Sequence, residues 1–281
     1  MTTLFVEQLT VIDASYLCPT RGLVGESWIV DLELDGALDE QSMILDFGAV
    51  KKQLKRAIDA GPDHTLIVPQ HYPAQQTTTL LDGRLRTLFM SEAGGIEHIA
   101  PACALTFLEA AAVTADSLTA YLQPRLAAIV PANVAAVRVR LRHEVIDGAS
   151  YHYTHGLQKH QGACQRIAHG HRSRIAILVD GARDATLEAE WAETFRDIYL
   201  VTGTHVVGDN GEQLRVAYQA PEGGFELALP KSRTYLLGAN TDSTVEEIAE
   251  HLAARVASQR PGQAVTVRAY EGVMKGAQAS R

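Results

Sequence analysis

Asp82-Gly-Arg-Leu-Arg-Thr-Leu-Phe-Met-Ser-Glu-Ala-Gly94-Gly95-Ile-Glu97-His-Ile-Ala-Pro101 has a counterpart further along the chain. It is Asn210-Gly-Glu-Gln-Leu-Arg-Val-Ala-Tyr-Gln-Ala-Pro-Glu-Gly223-Gly224-Phe-Glu226-Leu-Ala-Leu-Pro230. Each stretch alternates apolar and polar residues on both sides of a Gly-Gly pair, which predicts a β-hairpin turning at the glycines. Alternate side chains of a strand take opposite faces, so each hairpin has one face to bury. Two copies of such a unit make the chain a tandem repeat, and the fold is read by extending both copies outward.

Downstream, both copies continue into a capped helix. Thr114-Ala-Asp-Ser opens Leu118 to Leu126, and Thr241-Asp-Ser-Thr opens Val245 to Val256. The hydroxyl and carboxylate side chains there can accept from free backbone N–H groups, and the apolar spacing fits one helical face. Pro124 is unwelcome inside the first of these helices. Each helix leads to a strand ending in Glu, Ala136 to Glu144 in one copy and Ala264 to Glu271 in the other. Upstream the copies match more weakly. Met43-Ile-Leu-Asp46-Phe47 opens an amphipathic helix with Val50, Leu54 and Ile58 on one side. Leu187-Glu-Ala-Glu190-Trp191 takes the corresponding place. Asp63-His64 follows in the first copy and Thr204-His205 in the second. The boundary falls near residue 146, giving domains 1–145 and 146–281, each an α+β unit of antiparallel strands backed by two helices.

The 281 residues are 46% hydrophobic and 21% charged, the balance of a globular protein with material for real cores. A net charge of −8 argues against nucleic acid or an anionic membrane as the general partner. Cys18, Cys103 and Cys164 are odd in number and far apart, which suits a reducing, cytoplasmic compartment better than a disulfide framework. No basic and apolar leader opens the chain, and no apolar run reaches the ~18–20 residues of a membrane span.

The second copy carries the chemistry. Cys164-Gln-Arg-Ile-Ala-His169-Gly-His171 follows Tyr153-Thr-His155. A His-x-His pair in a strand aims both rings to one face, and a third His from the neighbouring strand would complete three nitrogens about one point. That is the ligand set of a catalytic zinc site with an open fourth position. His155, His169 and His171 are therefore the candidate metal ligands, with Cys164 close enough to act on what the metal holds.

With these residues in view, the second half resembles the 6-pyruvoyl tetrahydropterin synthase and 6-carboxytetrahydropterin synthase family. Tyr153 and His155, Cys164 with His169-Gly-His171, Thr244-Val-Glu246 and Tyr270-Glu271 carry the resemblance, and it extends over most of both halves. It implies the tunnelling fold, oligomerising into a barrel, a Zn2+ cofactor and a small reduced pterin as substrate. It implies Cys164 as a proton-transfer residue, Asp63-His64 as an acid/base pair, Glu271 as anchor of the pterin ring, and Glu246 and Thr244 as further substrate contacts. The first half departs from the pattern: Tyr16, Val24 and Glu26 stand where the three imidazoles would be, so it has lost its metal. In the resembled family the Cys and zinc of one subunit work with the Asp-His of a neighbour. A composite site, Cys164 and metal from one half and Asp63-His64 from the other, is the expectation here, with His205 as the competing acid/base. The expected activity is a zinc-dependent lyase converting 7,8-dihydroneopterin triphosphate to 6-carboxytetrahydropterin or 6-pyruvoyltetrahydropterin, the former in a deazapurine route such as queuosine biosynthesis. The alternative is a non-catalytic pterin- or purine-binding tandem protein with structural zinc.

Overall fold

The computed structural model describes residues 2–281, and the first half runs β1 (Thr2–Cys18), β2 (Gly22–Gly36), α1 (Phe47–Asp59), β3 (Leu66–Pro69), β4 (Gln75–Thr79), β5 (Leu85–Ser91), β6 (Gly94–Ala100), β7 (Leu105–Leu108), α2 (Ala115–Ala127) and β8 (Val134–Arg142). The second runs β9 (Ser150–His155), β10 (His169–Val179), a short β11 (Ala182–Arg183), α3 (Ala185–Thr194), β12 (Ile198–Thr202), β13 (Val206–Asp209), β14 (Gln213–Ala220), β15 (Gly223–Pro230), β16 (Thr234–Gly238), α4 (Val245–Gln259), β17 (Val265–Tyr270) and β18 (Gly276–Ser280).

Each half builds one sheet, ordered β7-β3-β1-β2-β8 in the first and β16-β12-β9-β10-β17-β18 in the second. The antiparallel centre expected from the alternation is there, and two parallel strands extend it at one edge: β3 and β7 beside β1, β12 and β16 beside β9. Two helices cover each sheet. Leu54 and Ile58 of α1 and Leu118, Leu122 and Leu126 of α2 close one core over Ile12, Val30 and Leu32. Leu187 and Trp191 of α3 and Ile248, Leu252 and Val256 of α4 close the other over Tyr151, Tyr153, Ile175 and Ile177. Asp46 caps α1 through Gly48 N–H, and Asp184 caps α3 through Thr186 and Leu187 N–H. Asp184 is thus the true counterpart of Asp46, and Glu190 lies inside α3. Pro124 lies inside α2, in its last turn, where it leaves the Ala120 carbonyl without its helical N–H donor.

The hairpins depart from expectation at their tips. Ser91 pairs with Gly94 and Ala220 with Gly223, so the turns are Glu92-Ala93 and Pro221-Glu222, and the glycines open the returning strands. The hairpins also join: β15 pairs antiparallel with β6, producing one six-stranded sheet, β13-β14-β15-β6-β5-β4, shared by both halves. A third core, holding Leu17, Phe89, Ile96, Ile167, Tyr199 and Phe225, lies between the halves. Beside it, β1 and β2 approach β9 and β10 backbone to backbone. A Cβ on Gly25 would stand 1.9 Å from Tyr153 O, and one on Gly170 would stand 2.7 Å from Gly25 Cα. Only glycine fits at either point, which explains the Gly between His169 and His171. The Ser15 and Thr154 hydroxyls hydrogen-bond across the same seam at 2.8 Å.

Candidate metal and acid/base site

β9 and β10 pair antiparallel with His169 opposite His155 and His171 opposite Tyr153. Residues directly opposite in a ladder share a face, and His171 is two residues beyond His169, so all three imidazoles meet on one side of the sheet. One ring nitrogen of each lies within 4.8 Å of the others, and all three residues are buried. His155 Nδ1 stands 2.8 Å from Ser243 O, and His169 Nδ1 stands 3.1 Å from Arg166 O. Those carbonyls can only accept, so each Nδ1 carries the proton and each Nε2 is left with its lone pair. Burial, with the neighbouring imidazoles adding to it, holds His155 and His169 well below the usual histidine range. They are neutral, as ligands must be.

His155 Nε2 and His171 Nε2 are 3.2 Å apart, and His169 Nε2 is buried with no hydrogen-bond partner. Two imidazole nitrogens bound to one tetrahedral zinc at about 2.0–2.1 Å are separated by roughly 3.3 Å. An orphaned nitrogen beside a pair of ring nitrogens at this spacing fits a metal ion, which the three rings could hold.

The first half reaches this cluster. His64, in the loop before β3, lies with Cys164 and His169 in a second group of potential ligand atoms within 4.8 Å of one another. The His64 and His169 ring centres are 5.1 Å apart. His64 Nδ1 is 2.8 Å from Asp63 Oδ2, which leaves the other ring nitrogen for Cys164. Burial alone would lower His64, but the hydrogen bonds to Asp63 and Cys164 outweigh it and push it up to about 10. His64 is held in place by its backbone, at φ 53°, with its N–H on Asp13 O and the Asp13 N–H on Asp63 Oδ1. Cys164 sits half-buried in a short turn, Ala163–Gln165.

Glu271 follows β17 and brings Oε1 to 3.9 Å from His171 Nε2, still partly exposed. Thr244 and Glu246 stand apart from one another in role. The Thr244 hydroxyl accepts from Glu247 N–H as the cap of α4, next to Ser243, which anchors His155; Glu246 is exposed in the first turn. Among the basic residues, Lys159 pairs with Asp242, Arg174 with Glu144, and Arg172 donates to Glu144 O. Lys275, itself exposed, reaches Asp13 with its Nζ 3.2 Å from Oδ2.

His205 does not join the cluster. It bonds the Gln158 side chain at 3.0 Å and packs at a tilt against the Tyr218 ring. Nor is it the counterpart of His64. Leu66 pairs with Ser15 as Tyr199 pairs with Thr154, and the residues two places earlier are His64 and Asp197, with φ of 53° and 55°. Arg196-Asp197 therefore replaces Asp63-His64 in the second half. Matching by residue type misled because the second half has no histidine at that place.

Asp13 is the residue that motif reading missed. It is buried, its Oδ1 is 3.2 Å from His171 Nδ1, and it accepts from Ser27 Oγ at 2.5 Å. Burial would raise its carboxyl, but His171, Lys275 and Ser27 hold it well below the usual carboxylate range. A lone acid beside Tyr16 gives no spacing signal; only the packing of the halves brings it to His171. The mirror-related position is inverted in charge: His152 of β9 faces Glu26 of β2 at 3.6 Å. There Arg21 makes a two-pronged ion pair with Asp197, at 2.9 and 2.5 Å, and donates to Tyr16 Oη at 3.2 Å. These contacts fill the place that corresponds to the imidazole cluster.

No helix among the described residues is long and apolar enough to cross a membrane. The sequence model of the family described as "6-pyruvoyl tetrahydropterin synthase" matches residues 16–153. The motifs quoted above lie mostly in the second half, whereas the match lies on the half without imidazole ligands and ends in β9; it does not extend over most of both halves. No curated protein matches the chain. Among solved structures, a Plasmodium vivax 6-pyruvoyltetrahydropterin synthase altered at a catalytic residue is 16% identical, over 50% of this chain and 90% of its own, with a TM-score of 0.42. The Plasmodium falciparum 6-pyruvoyl tetrahydropterin synthase is 14% identical over the same shares, with a TM-score of 0.41. Over residues 16–153, just under half of its length, the chain matches the 6-pyruvoyl tetrahydropterin synthase family.

Proposed function

We propose that the protein is a zinc-dependent lyase acting on a reduced pterin, 7,8-dihydroneopterin triphosphate, built as two tandem domains, 1–145 and 146–281. The observation that carries this is the convergence of three buried imidazoles, two of them neutral and anchored to backbone carbonyls, with a His64–Cys164 pair to which each half contributes one residue. His155, His169 and His171 would hold the ion, and zinc bound there would supply Lewis acidity toward the side-chain oxygens of the substrate. His64, protonated at neutral pH and steadied by Asp63, is the proton donor to the substrate, and Cys164 beside it is the acceptor, the two working as an adjacent pair. Glu271 is placed to anchor the pterin by paired N–H···O contacts beside the metal ligands. Thr244 and Glu246 mark the α4 start as the flanking wall. The chain is expected to assemble as a homo-oligomer, since β7, β8, β16 and β18 each leave one edge unpaired within the chain.

Purified protein should contain one zinc per chain and consume dihydroneopterin triphosphate. Acetaldehyde release marks the 6-carboxy product, and its absence with turnover marks the 6-pyruvoyl product. The His169→Ala, His171→Ala double variant should lose both metal and turnover. Two zinc ions per chain, or full metal content without any pterin turnover, would overturn the reading.

A further inference from the structure

The three candidate ligands are not anchored alike. His155 and His169 give Nδ1–H to the backbone carbonyls of Ser243 and Arg166, both in their own half. His171 has no carbonyl. Its buried Nδ1 finds no in-line hydrogen-bond acceptor, and Asp13 Oδ1 of the other half stands 3.2 Å away. We propose that Asp13 is the positioning residue of the metal site: a carboxylate supplied by the metal-less half that fixes the ring of His171 and strengthens it as a ligand. This rests on the metal-site reading above and adds a second reason for the first half to be kept.

The surroundings of Asp13 are built to hold a carboxylate in one orientation. Ser27 Oγ donates to Oδ1 at 2.5 Å, and Lys275 Nζ faces Oδ2 at 3.2 Å. The Asp13 backbone is tied as well, its N–H to Asp63 Oδ1 and its C=O to His64 N–H. The residue that aims His171 is therefore clamped to the loop that carries His64. A metal-bound imidazole donates its remaining N–H to a carboxylate or carbonyl, which fixes tautomer and ring and raises basicity. His171 is the one ligand of the three whose nearest such partner is charged. The inverted pair on the other side of the seam, His152 against Glu26, shows that these two positions face each other by construction of the fold, whichever residues fill them.

The test is a competition titration of metal-free protein with Zn2+ against a chromophoric chelator, with Co2+ absorption as a report on ligand geometry. Asp13→Asn keeps the size and removes the charge. It should bind zinc about 10–100-fold more weakly, the usual loss for such a partner, and shift the Co2+ spectrum, while the metal-free melting curve still shows a cooperative fold. Ser27→Ala, which frees Asp13 without touching His171, should show a smaller loss in the same direction and decides the matter if Asp13→Asn does not fold. Zinc affinity within twofold of the parent protein in a folded Asp13→Asn, or in Ser27→Ala if it alone folds, overturns the inference and leaves the metal site standing. A parent protein that takes up no zinc overturns both, and is recognised before any Asp13 variant is made.

Discussion

Glu26 occupies in the first half the position that His171 occupies in the second, and its burial has a measurable cost. Only 4% of its surface is exposed. Burial raises its carboxyl from 4.5 to about 7, with Ser27 N–H, Arg172 and Arg21 opposing but not cancelling the effect. A folded-state value above the unfolded one means that the folded protein binds the extra proton. The cost is absent below about pH 4.5 and fully present above about pH 7, so wild-type stability falls as pH rises through this window. Glu26→Gln keeps the acceptor for Ser27 N–H and removes the charge. Urea unfolding should show the variant equal to wild type at pH 4.5 and more stable at pH 8, by at most about 3 kcal/mol. A difference that does not change with pH would refute the assignment. Glu26 was read from the sequence only as a lost ligand. That it is buried against His143, His152 and the seam could not be seen, because those neighbours come from elsewhere in the chain.

Among the elements, the hairpins were legible and their purpose was not. Alternation located β5, β6, β14 and β15, and cap chemistry located α2 and α4. Local patterns are written in local residues. The pairing of β6 with β15 is between two edges, and nothing within either hairpin specifies it. The glycine pairs were read as turns because glycine is common there, but the structure gives Gly94 and Gly223 another task. At φ of 118° and 137°, their missing side chains make room for a proline of the opposite half. A Cβ would lie 2.5 Å from Pro230 Cγ at Gly94 and 2.6 Å from Pro101 Cγ at Gly223. Gly94→Ala and Gly223→Ala should each destabilise by roughly 1–3 kcal/mol in urea unfolding. Gly83→Ala, at φ 84° with open space around its Cβ, carries backbone strain alone and should cost less. Equal losses at all three positions would show that the inter-half packing contributes nothing. At the site, the three imidazoles were readable because β9 and β10 are consecutive strands whose alternation aims them to one face, with Cys164 in the segment that joins the two. Asp13 and the true counterpart of His64 were not, since both depend on how the two sheets meet.

At the scale of the whole molecule, His64 lies beside Cys164 and His169 of its own chain. On the proposed reading, His64→Ala should lower kcat by roughly 10²-fold or more, with zinc content unchanged and His205→Ala close to wild type. Mixing inactive His64→Ala chains with inactive Cys164→Ala chains should restore nothing, because neither chain contains an intact pair. Recovery of activity on mixing would place the working site between chains. In a ring of identical subunits every inherited lesion appears in all copies at once, so no copy can drift. Fusion removes that constraint. On the proposed reading, Tyr16 in one half and Asp197 in the other are tolerated because a single message always delivers the complementary residues, His155 and His64, one to one, already in place. Dividing the gene between β8 and β9 would then yield two products, one holding the imidazoles and Cys164 and the other holding Asp63-His64, neither with the whole set of its own.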